Sequence, residues 1–97
     1  MKSNIITKLT NNQKNQIRKY WEETELKYVK FVEWGVIISD TDDAIYLGDS
    51  VIEIDCNTLS MDAYVNSGYD GNSPLYFSPK MLDALYKTLE LLKNENK

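Results

Sequence analysis

Ninety-seven residues with a formal net charge of −4, one cysteine and no histidine exclude several classes of protein at once. A chain of this length buries roughly 60–65% of its unfolded surface, enough for one core without disulfides or metal, so a single α+β domain over residues 1–97 is expected. No apolar run reaches the ~18–20 residues of a membrane span, the N-terminal stretch lacks a signal-peptide core, and the lone Cys56 cannot close an internal disulfide, so a cytoplasmic setting is expected.

Residues 1–9 read as an N-terminal arm, with Ser3 to Lys8 open between a short helix and an extended segment. Thr10 followed by Gln13 has the form of a capping box and predicts a helix over residues 10–25. Ile17, Tyr20, Trp21 and Thr24 recur at spacings of three and four and would face a core, while Lys14, Arg18 and Glu22 face water.

From residue 28 to 66, β-branched and aromatic residues dominate and turn residues punctuate at short intervals, the signature of antiparallel strands. The predicted sheet is a four-stranded antiparallel meander with strands near 29–39, 44–47, 50–54 and 59–65. Gly48-Asp49 suits a type II′ turn that sets Tyr46 opposite Val51 and Ile45 opposite Ile52. Trp34, Val36, Ile38, Ile45, Leu47, Ile52 and Ile54 then share the inner face.

Two connections between the last strands keep the faces consistent. A two-residue loop at Asn57-Thr58 would oppose Glu53 and Asp62, a like-charge pair that works against folding unless a metal or partner neutralises it. A four-residue loop from Asp55 to Thr58 avoids the conflict by pairing Ile54 with Leu59, and it is the expected register. Residues 67–77 read as a turn-rich connector, with Leu75-Tyr76-Phe77 either a short edge strand or a plug for the core. Ser78 as cap and Pro79 at the first helical position open an amphipathic helix over 78–94, with Leu82, Leu85, Tyr86, Leu89 and Leu92 on one face.

The charge is unevenly spread. Residues 1–30 carry seven basic and three acidic side chains, residues 31–79 carry nine acids and no Lys or Arg, and the last eighteen residues add a net +1. On the predicted register, Ile37, Tyr46, Val51 and Tyr64 lie on the outer face, rimmed by Glu33, Asp40, Asp42, Asp43, Asp49, Glu53, Asp55 and Asp62. An apolar centre with a charged rim resembles a protein-binding surface, where aromatic anchors supply energy and charges supply steering. The competing account is that the first helix covers this face and the acids simply solvate turns.

Alternate strand residues lie ~6.7 Å apart, close to the spacing of successive phosphates. The expected role is therefore an inhibitor or regulator that binds a protein partner with a basic, nucleic-acid-handling surface. In charge logic alone it resembles the small acidic inhibitors that phages and mobile elements make against restriction, CRISPR or repair enzymes. A homo-oligomeric structural or adaptor protein, pairing through the outward row, is the second reading.

Catalysis has less to work with. The missing histidine removes the usual general base, and no Gly-rich phosphate loop, nucleophile elbow or paired-Cys motif is present. A carboxylate-dependent, metal-assisted hydrolase using Glu53, Asp55 and Asp62 is the third reading. Asp40, Asp42 and Asp43 depart from a calcium loop, because Ile45 stands where a Gly is needed and Val51 where a Glu is needed. No enzyme activity, cofactor or metal is expected. Direct nucleic-acid binding through Lys14, Arg18, Lys19, Tyr20 and Trp21 is weighed against a solvated helix face beside core aromatics, which accounts for them better.

Overall fold

A computed structural model describes residues 9–41, 48–66 and 73–95. The predicted strand at 44–47, with Ile45, Tyr46 and Leu47, lies outside these residues, as do Asp42, Asp43, Asp70 and the arm up to residue 8. The chain is α+β, with helices α1 (Asn11–Trp21) and α2 (Pro79–Glu95) and strands β1 (Tyr28–Phe31), β2 (Gly35–Ser39), β3 (Ser50–Asp55), β4 (Met61–Val65) and β5 (Ser73–Pro74). Among the described residues the strands form one five-stranded antiparallel sheet in the order β1-β2-β3-β4-β5.

The start of α1 follows the predicted capping box. Gln13 N donates to Thr10 Oγ1 at 3.1 Å, and Thr10 N donates to Gln13 Oε1 at 2.8 Å, which satisfies two otherwise free N–H groups. The helix ends four residues earlier than predicted, at Trp21. Thr24 lies beyond it in the exit turn, where its buried hydroxyl bonds Trp21 O at 2.8 Å and accepts from Leu26 N at 3.0 Å. Local side-chain bonds of this kind compete with helix continuation.

The predicted 29–39 strand is two strands. Val32 and Gly35 exchange backbone hydrogen bonds of 2.9 and 3.2 Å, turning the chain through Glu33-Trp34. Trp34 therefore sits at a turn and is 42% exposed, which corrects its assignment to the core. Gly35 is required there by close approach, since a Cβ at that position would lie 1.9 Å from Ile54 O.

Strand β2 pairs directly with β3, with Val36 opposite Ile54 and Ile38 opposite Ile52. Because β4 occupies the other side of β3, with Tyr64 opposite Val51, the predicted pairing of Tyr46 and Ile45 onto Val51 and Ile52 is displaced.

The β3–β4 register also differs from expectation. Glu53 stands opposite Asp62, the like-charge arrangement that a loop from Asp55 to Thr58 would have avoided. The turn explains it: Asp55 Oδ1 accepts from Asn57 N at 2.8 Å and Thr58 N at 3.1 Å, Leu59 N donates to Asp55 O at 2.8 Å, and Leu59 adopts a left-handed φ of 61°. The loop is thus Cys56 to Leu59, closed by Asp55 N donating to Ser60 O at 2.9 Å. The shift is an even number of residues, so each side chain keeps its predicted face.

Val36, Ile38, Ile52 and Ile54 are fully buried on the inner face, in one cluster with Ile17 and Trp21 of α1 and Met81, Ala84, Leu85 and Leu92 of α2. Both helices therefore lie on the same side of the sheet, and the account in which α1 covers the outer face is corrected. Trp21 Nε1 donates to Thr88 Oγ1 at 2.9 Å, joining the helices through a buried polar contact whose donor would otherwise be costly. The buried stripe of α2 is Met81, Ala84, Leu85, Thr88 and Leu92, while Leu82 and Tyr86 are exposed, a rotation from the predicted leucine stripe. Ser78 caps the helix as expected, its Oγ accepting from Met81 N at 3.2 Å. Leu75 and Phe77 plug the core from the connector, and Tyr76 between them is exposed.

Candidate functional site

Alternation along the strands builds the outer face row by row. Tyr28, Ser39, Val51, Tyr64 and Pro74 form one cross-strand row, and Lys30, Ile37, Glu53 and Asp62 form the next. Beyond them Gly35 stands opposite Asp55. Ile37 and Val51 thus belong to different rows, and Val51, at 1% exposure, is not available to a partner.

Glu53 and Asp62 meet at the end of this face nearest the β1–β2 and β3–β4 turns. With Trp34, Asp55, Ser60 and Met61 they line a shallow cleft of about 220 Å³. Trp34 and Met61 are each 42% exposed, so the cleft has apolar contact surface beside its carboxylates. Tyr64 donates from its hydroxyl to Glu53 Oε2 at 3.0 Å, steadying one member of the like-charge pair. Asp62 is exposed, so solvent keeps its repulsion with Glu53 small. Burial first, and the hydrogen bond to Glu53 second, push the Tyr64 phenol above its ordinary value. Among the described residues neither carboxylate has a Lys or Arg within ion-pair distance, whereas Lys87 and Asp83 pair on α2 at 3.1 Å.

Other predicted site residues are occupied by the fold. Asp49 is buried and accepts from Thr41 Oγ1 at 2.9 Å; Asp40 Oδ1 accepts from Ser50 N at 3.0 Å; Asp55 caps its turn. Glu33 is exposed at the tip of the β1–β2 turn, away from this hydrogen-bonding work. Of the predicted rim, Glu53 and Asp62 with Tyr64 and Ile37 are brought together, and Glu33 stands at the adjacent turn. Trp34 and Met61 were not among the predicted contact residues. No local signal pointed to Trp34, since neither it nor Glu33 is a residue that turn geometry favours.

The basic residues refine the charge picture. Lys30 lies on β1, so the sheet itself is polarised, with cations at its β1 edge and carboxylates on β3 and β4. Lys14 Nζ and Arg18 Cζ sit 5.6 and 5.0 Å from the centroid of Phe31, adding two cations to that edge. Trp21 is fully buried and cannot stack a base.

Cys56 is buried in the core, and burial first, with the Asp55 carboxylate second, raises its thiol above the ordinary value. A protonated, enclosed thiol is a poor nucleophile. Among the described residues no three His, Cys, Asp or Glu side chains converge to hold a metal ion, and no helix is long and apolar enough to cross a membrane. No family model matches the chain, and no match is found among curated proteins or among solved structures.

Proposed function

We propose that this chain is a protein-interaction domain that acts by binding, as an inhibitor or regulator of a partner with a basic, nucleic-acid-handling surface. The observation that carries the reading is the Glu53–Asp62 pair, held opposite one another in a cleft beside exposed Trp34 and Met61. Even screened by solvent, a like-charge cross-strand pair costs about 0.5 kcal/mol of folding energy, and a cation from a partner recovers that cost only in the complex. An aromatic face beside two carboxylates suits a Lys or Arg side chain, through stacking and charge-assisted hydrogen bonds. The cytoplasm is the proposed setting, where a buried, unpaired cysteine stays reduced.

The test is affinity capture from the native host at low and high salt, with duplex DNA and structured RNA added as competitors. A partner released by salt and displaced by nucleic acid supports the reading, because such a partner uses the same basic surface for both ligands. Capture that survives both treatments removes the nucleic-acid-handling assignment.

A further inference from the structure

We infer that the free edge of β1 is a second docking site, taking an acidic, extended segment of a partner protein by strand addition. Val32 and Gly35 exchange both backbone hydrogen bonds, which sets the phase of the β1–β2 ladder. In an antiparallel pair such bonded positions alternate, so Lys30 bonds Ile37 and Tyr28 bonds Ser39. The peptide groups of Val29 and Phe31 therefore point away from β2. Among the described residues β1 has no strand on that side. The opposite edge is different, because β5 spans just Ser73–Pro74 and its proline lacks an N–H.

Charge selects the occupant. Lys14 and Arg18 stand over Phe31 on the helix side of β1, and Lys30 projects from its outer side. Helix α1, from Asn11 to Trp21, contains no Asp or Glu to offset them. Lysine on an edge strand deters pairing with neutral or basic strands, which is its usual protective role. It does the reverse for a strand carrying carboxylates. Two copies of this chain are a poor fit, since antiparallel pairing through Val29 and Phe31 sets Lys30 against its own copy. A polyanion such as nucleic acid would meet the cations but leave the outward N–H and C=O groups of β1 without the alternating partners that a peptide backbone supplies.

The site is independent of the acidic cleft, so either can fail alone. The test is an amide-resolved NMR titration of the full chain with an end-blocked octapeptide of alternating valine and glutamate. A peptide with lysine in place of glutamate and a ten-residue oligothymidine are the controls. The glutamate peptide is expected to shift the Val29 and Phe31 amides saturably and to slow their hydrogen exchange, while the lysine peptide does neither. Arg18→Glu with Lys30→Glu should weaken that binding about tenfold. Val29→Pro, which removes an outward N–H that β2 does not use, should weaken it as well; the charge double keeps the test open if the proline variant does not fold. Equal binding of the lysine peptide, shifts that map away from β1, tighter binding of the oligonucleotide at the same residues, or a peptide-free dimer that protects Val29 and Phe31 would each overturn the inference.

Discussion

Ile38 and Ile52 on the inner face stand one residue from Ile37 and Glu53 on the outer face, along the same two strands and in the same ladder. The inner pair is fully enclosed between sheet and helices, whereas the outer pair is half-buried and ends in a row of carboxylates. The inner positions are filled in a way that maximises stability. Glu53 opposite Asp62 is not, and a position that forgoes stability where a neutral pair would serve is where a binding role is expected. The two faces should therefore respond to substitution with opposite signs.

The largest effect belongs to the inner side. Trp21→Ala empties a fully buried site and removes the N–H that Thr88 Oγ1 accepts, while that hydroxyl still donates to Ala84 O, and it should cost about 4 kcal/mol, read as a shift in the denaturation midpoint. Thr88→Val keeps the volume but leaves the Trp21 N–H without its acceptor, for a loss of about 2 kcal/mol. A loss near zero would mean that the Trp21–Thr88 bond contributes nothing, and that packing alone joins the helices.

On the outer side the sign should reverse. Asp62→Asn removes the cross-strand repulsion and should stabilise by about 0.5 kcal/mol. Destabilisation by that substitution would mean that the carboxylate serves the fold, and the contrast between the faces would collapse. The smallest effect is confined to alkaline pH. Tyr64 has a folded-state value raised above the ordinary phenol, so its contribution is complete below the unfolded value near 10 and is lost as pH climbs through the folded one. Tyr64→Phe should leave the neutral-pH profile level and flatten the part of the alkaline decline that the phenol causes; an unchanged alkaline limb would show that neither burial nor the Glu53 bond raises the phenol in the folded state.

The two faces also differed in how far they could be read from residues alone. Val36, Ile38, Ile52 and Ile54 alternate cleanly, and the Thr10 and Ser78 caps have unambiguous chemistry, so the inner sheet and both helix starts were legible. The Glu33-Trp34 turn was not, because neither residue carries the glycine or asparagine that marks a tight hairpin. Leu59 hid the β3–β4 register, since a leucine in the left-handed region is an exception that no local rule anticipates.

The α2 stripe was misplaced because Met81, Ala84 and Thr88 are less conspicuous than the leucines, and Thr88 becomes a core residue through its bond to a distant Trp21. For the candidate site, the outward orientation of Glu53, Asp62 and Tyr64 followed from parity, which survived the change of register. Asp55 as the acid that begins the β3–β4 turn was legible too, but the roles of Asp40 and Asp49 were not, as each is drawn into hydrogen bonds that exist only once the strands are paired.

It is the position of the acids that matters for binding, and not their number. Glu53→Lys with Asp62→Lys, and Glu22→Lys with Glu23→Lys on the helix side, change net charge by the same amount, and Glu22 and Glu23 are exposed in the turn after α1. Both doubles should be compared with the parent chain in capture of the same host partner at low salt. Loss of capture by the Glu53/Asp62 double alone is the predicted result; equal loss by both doubles, or full capture by both, would contradict it.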